Sequence, residues 1–461
     1  MTNEHAGIPA LAVSRMLDRI EENGLRIHGF TLLRGGVTAA KGYWAPFRAG
    51  VPHRMFSVSK SMTSMAAGLL IADGKLRLTD LICDYFPDKL PGKVPGELRR
   101  LTIRDMLRMA TCHKFTTYKL VKDEDWTRSF FTYPPTQEPG AVFFYDTSSS
   151  HTLGALVERL TGEPLIGFLQ TRLFDLVGAA DDKRWLADPV GVSQGGTGLM
   201  MTLEDLAKTA QFCLRMGKGT QLEPYLRLAT AKQIETPLQD YAEQRFGYGY
   251  QFWRTRNNGF AMFGMGGQMA LCLPDLDTVL CTVADTQLER DDYQTICDAF
   301  WREIFPWLSC APASKPEEWD ALETRLGTLQ MRPVEHVPAF EGAYGREYAF
   351  GANPLELAFL RLDEHGLTYE NASGRCVLPY GKGGWAASAF PGLGEPCVTS
   401  GGWIAPGLFL LSSALTGDYP CGVDMQLSFT DDRVTVQMRS VRELRMAKYG
   451  GVASGAAVSK A

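Results

Sequence analysis

The segment from Met55 to Leu70 constrains the fold more than any other part of the sequence. From Ser57 onward its apolar residues recur at steps of three and four, which is typical of a helix with one face that must be buried. Asp73 and Gly74 are expected to end this helix. The sequence therefore predicts a buried helix around which the rest of the chain packs.

Ser57 and Lys60 lie three residues apart at the start of this predicted helix, so their side chains share one face. A serine hydroxyl is a weak nucleophile until a base takes its proton, and a lysine is such a base when burial lowers its pKa. The free N–H groups of a helix start also favour developing negative charge. The same spacing arises by chance, and a polar first turn is ordinary capping. The catalytic interpretation therefore needs partners elsewhere in the chain.

Composition limits the classes of function. The chain of 461 residues is 45% apolar, enough to bury a large core, and its length favours two domains. Its net charge is −5, and it contains no run of Lys or Arg. Nothing therefore indicates a nucleic acid or an anionic membrane as a partner. The first residues lack a basic segment followed by an apolar run, and no stretch is long enough to span a bilayer. A cytoplasmic protein is expected.

The ten cysteines are scattered, mostly among apolar neighbours, which favours reduced core thiols over a disulfide framework. The sequence contains no C-x-x-C pair and no H-E-x-x-H motif, and its seven histidines are dispersed. No metal and no cofactor is therefore expected.

The order of the predicted elements indicates an α+β fold. An early hairpin and three later strand segments bracket a largely helical middle, which predicts an antiparallel sheet flanked by terminal helices, with a helical subdomain inserted. The predicted strands are Arg26 to Leu33, Val37 to Trp44, Gly247 to Trp253, Phe260 to Leu273 and Thr278 to Ala284.

The sequence changes character near residue 310. Residues 1–310 are predicted to form the first domain, and 311–336 a linker with a connecting helix. Short strand-like runs without helices then predict a small β-barrel or sandwich over 337–450. Residues 451–461 have small side chains, which is typical of a disordered tail.

Four blocks carry a resemblance to a known family. They are Phe56-Ser57-Val58-Ser59-Lys60-Ser61, Asp73-Gly74-Lys75-Leu76-Arg77-Leu78-Thr79-Asp80, Leu101-Thr102-Ile103-Arg104-Asp105-Met106-Leu107, and Tyr145-Asp146-Thr147 with the Leu-Gly and Leu-Thr-Gly that follow. In this order, over about residues 10 to 308, they resemble the serine hydrolase superfamily of class C β-lactamases, DD-peptidases, family VIII esterases and 6-aminohexanoate-oligomer hydrolases. The resemblance implies a β-lactamase/DD-peptidase-like fold.

The resemblance also implies catalytic roles for three residues. Ser57 would be the nucleophile, Lys60 would activate it, and Tyr145 would share the proton transfer, with the lysine's charge lowering the pKa of the phenol. The apolar run before Tyr145 predicts a strand over 141–144 that delivers it to the site. The alternative is that Tyr145 is a half-buried aromatic side chain with a satisfied hydroxyl.

The sequence departs from the family pattern in two places. Thr147 stands where Asn or Ser is usual, and Gly264-Met265-Gly266-Gly267-Gln268 replaces Lys-Thr-Gly. Such a strand can bring backbone N–H groups close to a substrate, so Met265, with Gly266 second, is expected to complete an oxyanion hole with Ser57. Thr147, Gly267 and Gln268 are expected to contact substrate. A glycine-bearing strand bent only for packing is the alternative.

The predicted reaction is acyl transfer to Ser57 from a small-molecule amide or ester. Loss of the motif lysine removes a cationic partner for a β-lactam carboxylate, which favours this activity over that of a β-lactamase or D-amino-acid peptidase. A non-catalytic binding or sensor protein that keeps the fold is the rival class. Substrate identity, a homo-oligomeric state and the role of the β domain stay open.

A second serine motif, Gly191-Val192-Ser193-Gln194-Gly195, matches the G-x-S-x-G nucleophile elbow. That elbow needs a strand before it and a helix after it, and the flanking residues, rich in Gly and Pro, predict neither. A flexible loop is expected here. Four aromatic residues before the second family motif could line an apolar cleft or pack in the core: Trp126, Phe130, Phe131 and Tyr133.

Overall fold

The computed structural model describes residues 5–179, 182–288, 292–310, 315–337, 343–417, 420–441 and 444–458. The chain forms two compact units. The first comprises Met1–Tyr43, Arg48–Ala284 and Asp291–Thr328, and the second comprises Trp44–Phe47, Asp285–Arg290 and Leu329–Ala461.

The α-helices of the described residues all belong to the first unit. None of them is both long and apolar enough to cross a bilayer. They are α1 (Ala10–Glu22), α2 (Val58–Ala72), α3 (Ile82–Tyr85), α4 (Gly96–Arg99), α5 (Ile103–Leu107), α6 (Trp126–Thr132), α7 (Thr147–Thr161), α8 (Leu165–Leu169), α9 (Leu203–Leu214), α10 (Glu223–Ala229), α11 (Asp292–Glu303) and α12 (Pro316–Gly327). Short 3₁₀ segments and one π turn also occur: His5–Gly7, Pro87–Lys89, Thr117–Lys119, Gln170–Phe174, Ala242–Phe246, Pro274–Leu276, Phe305–Trp307 and Leu444–Tyr449.

Two sheets complete the first unit. Their strands are β1 (Ile27–Arg34), β2 (Val37–Tyr43), β3 (His53–Arg54), β4 (Arg184–Trp185), β5 (Leu199–Met201), β6 (Trp253–Arg254), β7 (Phe260–Gly264), β8 (Gln268–Leu273) and β9 (Thr278–Ala284). The main sheet is antiparallel with order β2-β1-β9-β8-β7-β6, and the small sheet has order β3-β5-β4. The predicted early hairpin is therefore confirmed as β1 and β2.

The prediction of one strand from Phe260 to Leu273 is wrong, because this segment is a hairpin. The chain reverses between β7 and β8 at Met265–Gly267. Gly266 and Gly267 have φ values of 80° and 88°, in the left-handed region that glycine adopts without steric cost. The glycines that marked this segment in the sequence thus form a tight turn rather than a bent strand.

Helix α2 is the buried helix that the apolar pattern predicts. Every residue from Val58 to Leu70 is buried, and α2 packs against α7 and α10. Gly68 permits the close approach of α10, since a Cβ there would lie 2.4 Å from the ring of Tyr225. α9 packs on β1, β8 and β9, while α1 packs against α11 and α12. The predicted antiparallel sheet with terminal helices and a helical subdomain is confirmed.

The second unit contains a ten-stranded antiparallel sheet curved into a nearly closed barrel. Its order is β13-β12-β11-β10-β19-β18-β17-β16-β15-β14, and the edge strands β13 and β14 approach each other. The strands are β10 (Glu347–Phe350), β11 (Phe359–Asp363), β12 (Gly366–Asn371), β13 (Gly374–Pro379), β14 (Ala386–Ala389), β15 (Pro396–Ala405), β16 (Leu408–Leu415), β17 (Gly422–Phe429), β18 (Arg433–Ser440) and β19 (Gly451–Ala457).

The expectation of a disordered tail over 451–461 is wrong for residues 451–457. They form β19, which pairs with β18 on one side and β10 on the other. Backbone hydrogen bonds on both sides hold this strand in the sheet, so it needs no large apolar side chains. Residues 459–461 lie outside the described residues.

Candidate active site

Ser57 immediately precedes α2 and is half-buried. The residue before it, Phe56, is buried with φ 45°, a conformation that a bulky residue adopts only when its surroundings fix it. The N–H of Met55 donates to the carbonyl of Leu199, 2.8 Å away, in line with the pairing of β3 and β5. A rigid, strained backbone thus presents the Ser57 hydroxyl at the start of the buried helix.

Lys60 lies one helical turn after Ser57, and its side chain is 1% exposed. Its Nζ atom donates to Ser57 Oγ at 2.9 Å and to the carbonyl of Gly196 at 2.8 Å. Burial lowers the pKa of Lys60 to about 7; the charge of Asp146 raises this pKa and that of Lys119 lowers it. A neutral amine beside the serine is therefore accessible at neutral pH.

Tyr145 lies two residues before α7. The predicted strand over 141–144 is wrong: the segment is irregular, and the N–H groups of Gly140 and Phe144 donate to the carbonyls of Ala110 and Met109. This irregular backbone still delivers Tyr145 to the start of α7, because hydrogen bonds to a neighbouring loop replace those of a sheet.

The ring of Tyr145 lies beside Lys60 and Ser57. Lys60 Nζ is 4.9 Å from its centroid, and the ring stacks on Trp253 at 5.5 Å. Burial raises the pKa of the Tyr145 phenol, and a side-chain hydrogen bond with Ser57 opposes this only in part. The expectation that the phenol has a lowered pKa is therefore wrong. The tyrosine is a neutral hydroxyl at physiological pH.

Asp146 is a functional candidate that no sequence motif indicated. It caps α7, with Oδ1 accepting from the N–H of Ser148 at 2.8 Å, while Oδ2 is buried and has no hydrogen-bond partner among the described residues. Burial raises the pKa of Asp146 to about 7, and the charge of Lys60 lowers it. The aspartate before a Thr-Ser-Ser run signals a helix cap in the sequence, but not its electrostatic contact with the lysine.

The glycine-rich segment after residue 190 is a loop, as predicted, and it is hydrogen-bonded to α2. The carbonyl of Gly195 accepts a hydrogen bond from Thr63 Oγ1 at 2.7 Å, and the carbonyl of Gly196 accepts the one from Lys60. A Cβ on Gly196 would lie 2.5 Å from the Cγ2 atom of Thr147 and 3.4 Å from Lys60 Nζ. The glycines therefore allow the loop to lie directly against the lysine, and Thr147, half-buried, lies at the same place.

Ser193, the serine of the G-x-S-x-G motif, is 5% exposed within this loop. The loop between β4 and β5 is irregular around it, so the motif has neither the preceding strand nor the following helix of a nucleophile elbow.

The turn between β7 and β8 lies near the backbone that precedes Ser57, since a Cβ on Gly264 would be 2.4 Å from the carbonyl oxygen of Met55. Gln268 is 2% exposed, and its Nε2 donates to the carbonyls of Met265 and Ala284 at 3.2 and 2.6 Å. Its Oε1 accepts from the Ala284 N–H at 3.2 Å. The Gln268 amide thus holds the turn from within, in contrast to the expected contact with substrate.

The aromatic residues of α6 mainly serve packing. Phe130 and Phe131 are fully buried in the core of the first unit. Trp126 stacks on Tyr118 with ring centroids 4.1 Å apart, and Tyr133 meets the ring of His113 edge to face. The core interpretation of Phe130 and Phe131 is therefore confirmed.

The site combines a serine at the start of a buried helix, a buried lysine one turn later and a tyrosine before a second helix. Beside an antiparallel sheet, this combination is that of a hydrolase of the β-lactamase and penicillin-binding-protein type. The chain belongs to the Beta-lactamase family, whose model matches residues 17–295. The resemblance predicted from the four sequence blocks is therefore confirmed.

Individual proteins show the same likeness. A 6-aminohexanoate-dimer hydrolase of Paenarthrobacter ureafaciens is 24% identical over 281 residues, covering 54% of this chain and 70% of that protein. The structure of EstCE1, a hydrolase with promiscuous acyltransferase activity, matches with a TM-score of 0.52 at 18% identity over 63% of this chain and 100% of that chain. An octameric penicillin-binding protein homologue from Pyrococcus abyssi matches with a TM-score of 0.51 at 12% identity, covering 92% of this chain and 97% of that chain.

Proposed function

We propose that this hydrolase cleaves an amide or ester bond through an acyl-enzyme on Ser57, with Lys60 as the general base and Tyr145 as a proton donor. The observation that carries the proposal is the 2.9 Å hydrogen bond from Lys60 Nζ to Ser57 Oγ in a place where burial brings the lysine's pKa to about 7. A lysine with its ordinary pKa would be protonated and unable to take the serine's proton.

In the first step, Ser57 Oγ attacks the carbonyl carbon of the substrate while its proton passes to the neutral amine of Lys60. The C=O bond becomes a C–O⁻ bond in a tetrahedral intermediate. When this intermediate collapses, the leaving nitrogen or oxygen takes a proton, which Tyr145 is placed to donate because burial keeps its phenol neutral. The proton that Lys60 took from Ser57 then passes to the deprotonated Tyr145, which restores the neutral amine and the neutral phenol. Water attacks the acyl-enzyme and gives a proton to Lys60. When this second intermediate collapses, the acid is released and Lys60 returns the proton to Ser57 Oγ.

The oxyanion would be stabilised by backbone N–H groups. The Ser57 N–H at the start of α2 is one donor, and the contact of Gly264 with the carbonyl of Met55 supports a second donor from the adjoining turn, at Met265 or Gly266. Gln268 would act as a positioning residue, because its amide fixes the Met265 carbonyl and so the orientation of the turn.

Amide or ester substrates are favoured by the relatives as well as by the site. The curated relative is described as acting on an aminohexanoate dimer, and the solved structure of EstCE1 as a hydrolase with acyltransferase activity. Both descriptions fit transfer of an acyl group through a covalent intermediate, which supports the same chemistry here.

The direct test is labelling with a fluorophosphonate probe, which reacts with an activated serine. The wild-type chain should be labelled and Ser57→Ala should not. Ser193→Ala is the matched control, because it removes the other motif serine and should leave labelling and ester hydrolysis unchanged. A folded wild-type chain that resists the probe, or loss of labelling only in Ser193→Ala, would overturn the proposal.

A substrate panel then separates the activities. Short p-nitrophenyl esters, aminohexanoate dimer, D-amino-acid amides and nitrocefin are incubated with wild type and with Ser57→Ala. The proposal expects turnover of an ester or a linear amide that depends on Ser57. Turnover of nitrocefin or D-amino-acid amides alone would instead support a β-lactamase or D-amino-acid peptidase.

A further inference from the structure

A cavity of about 560 Å³ lies in the first unit, lined by the end of α10, the residues that follow it and the connection from β6 to β7. None of its lining residues belongs to the candidate active site. None of the lining residues is an aspartate or glutamate, and four are cationic: Arg227, Lys232, Arg254 and Arg256.

Three of these cations have carboxylate partners. The pairs are Arg227 with Glu223 at 2.8 Å, Lys232 with Glu235 at 2.7 Å and Arg256 with Glu243 at 2.9 Å. Arg254 differs from them: among the described residues no carboxylate oxygen lies within 4.0 Å of its guanidinium. Its Nη1 donates to the carbonyl of Thr230 at 2.8 Å and its Nη2 to Oδ1 of Asn258 at 2.7 Å, and both acceptors are neutral.

The half-buried Arg254 guanidinium is therefore held by two neutral acceptors and makes no direct ion pair among the described residues. The charge of Asp275, whose Oδ2 accepts from Asn258 Nδ2 at 3.0 Å, acts on it only from beyond Asn258. Two neutral acceptors fix the plane of its guanidinium, while other N–H donors of the same fork remain for a ligand. An anion in the cavity would supply the direct negative partner that Arg254 lacks among the described residues. Surface pairs such as Lys232 with Glu235 are weak and can give way to a stronger anion.

The rest of the wall suggests what the anion is attached to. Phe246 is 43% exposed at the cavity although its ring is large and apolar, and Met216 also lines it. An exposed aromatic face stacks on a flat ring. A cavity of this size suits a ligand of the size of a mononucleotide.

We infer that this cavity binds a small organic phosphate that carries a planar ring, with Arg254 on the phosphate and Phe246 against the ring. The planar guanidinium matches two phosphate oxygens at once, and the neighbouring cations balance a second negative charge. The strand that holds Arg254 also holds Trp253, which stacks on Tyr145, so the cavity and the candidate active site lie on opposite sides of β6.

The test is isothermal titration calorimetry with adenosine 5′-monophosphate, inorganic phosphate and adenosine as separate probes. The mononucleotide should bind at one site per chain and more tightly than either fragment. Arg254→Gln should weaken binding by about tenfold or more, and Lys232→Gln by about threefold. The matched control is Arg99→Gln, which removes an exposed arginine outside the cavity and should change nothing.

Ser57→Ala separates this site from the catalytic one, because it should bind the mononucleotide with unchanged affinity whether or not the chain is a serine hydrolase. If Arg254→Gln does not fold, the exposed Lys232→Gln variant decides. The inference is overturned if wild type shows no saturable binding at millimolar concentration, if these substitutions in the cavity leave affinity unchanged, or if Ser57→Ala abolishes binding.

Discussion

The pH dependence of hydrolysis gives the sharpest check of the role assigned to Lys60. Because burial lowers its pKa to about 7, the neutral amine that can accept the serine's proton forms only as the pH rises through 7. The neutral fraction is about 1% at pH 5 and about 90% at pH 8. The value of kcat/KM should therefore rise about ninetyfold between these two pH values and then level off.

The assay is hydrolysis of a neutral p-nitrophenyl ester at constant ionic strength, followed at the isosbestic wavelength of the product, with the rate of Ser57→Ala subtracted. The kcat/KM profile reports the pKa of the free enzyme. Lys60→Arg is a useful second control, because a guanidinium keeps its proton throughout this range and should abolish the pH-dependent rate.

Two results would contradict the role of Lys60 as a base with a pKa near 7. A lysine that kept its ordinary pKa of 10.5 would give a rate that continues to rise about tenfold from pH 8 to pH 9. A rate that is flat from pH 5 to pH 8 would mean that no group with a pKa near 7 has to lose its proton.

Two further substitutions test the surroundings of the lysine. Gly196→Ala places a Cβ 2.5 Å from a methyl carbon of Thr147, so the loop must shift. We expect the free energy of unfolding to fall by about 1–3 kcal/mol and kcat to fall about a hundredfold. Gly92→Ala is the control, because a Cβ there has nothing within 4 Å and should change neither quantity. Equal effects of the two glycine substitutions would contradict this. Asp146→Asn removes a charge that raises the pKa of Lys60, so the pH profile should move to lower pH, with a stability change below about 1 kcal/mol because asparagine also caps helices. A shift to higher pH would contradict the assigned interaction.

The parts of the fold that could be predicted are those with a local pattern. The apolar repeat along α2 identifies a buried helix wherever its partners lie, and the glycine pair before Val37 identifies the hairpin of β1 and β2. Ser57 and Lys60 could be paired because a helix brings residues three apart onto one face.

The contacts that complete the site have no such pattern. The carbonyl of Gly196, which accepts from Lys60, lies 136 positions further along the chain. The composition of a glycine-rich run does not reveal whether the run packs against another element. The burial that lowers the pKa of Lys60 likewise depends on elements that only the folded chain brings together. The site's electrostatics, and the places of Asp146 and Gly196 in it, therefore could not be predicted from the sequence, whereas Ser57, Lys60 and Tyr145 could be singled out.

The strand β19 escaped prediction for a related reason. Its residues are mostly Gly, Ala and Ser, which lack the branched side chains typical of strands. One of them, Gly455, lies so close to Phe350 that a Cβ would be 2.7 Å from the ring. The small side chains are thus required by a close contact with β10 that no local pattern reveals.

The position of β19 has a consequence for how this barrel is made. Among the described residues it is the last strand in sequence order, yet it lies between β10 and β18. The sheet therefore consists of separate pieces of four and five strands until β19 is in place. A ribosome must therefore synthesise and release this segment before the barrel can close. Deleting residues 451–457 should leave β10 and β18 as unpaired edge strands, which promotes aggregation. A purification tag fused after these residues should leave the pairing of the barrel strands intact.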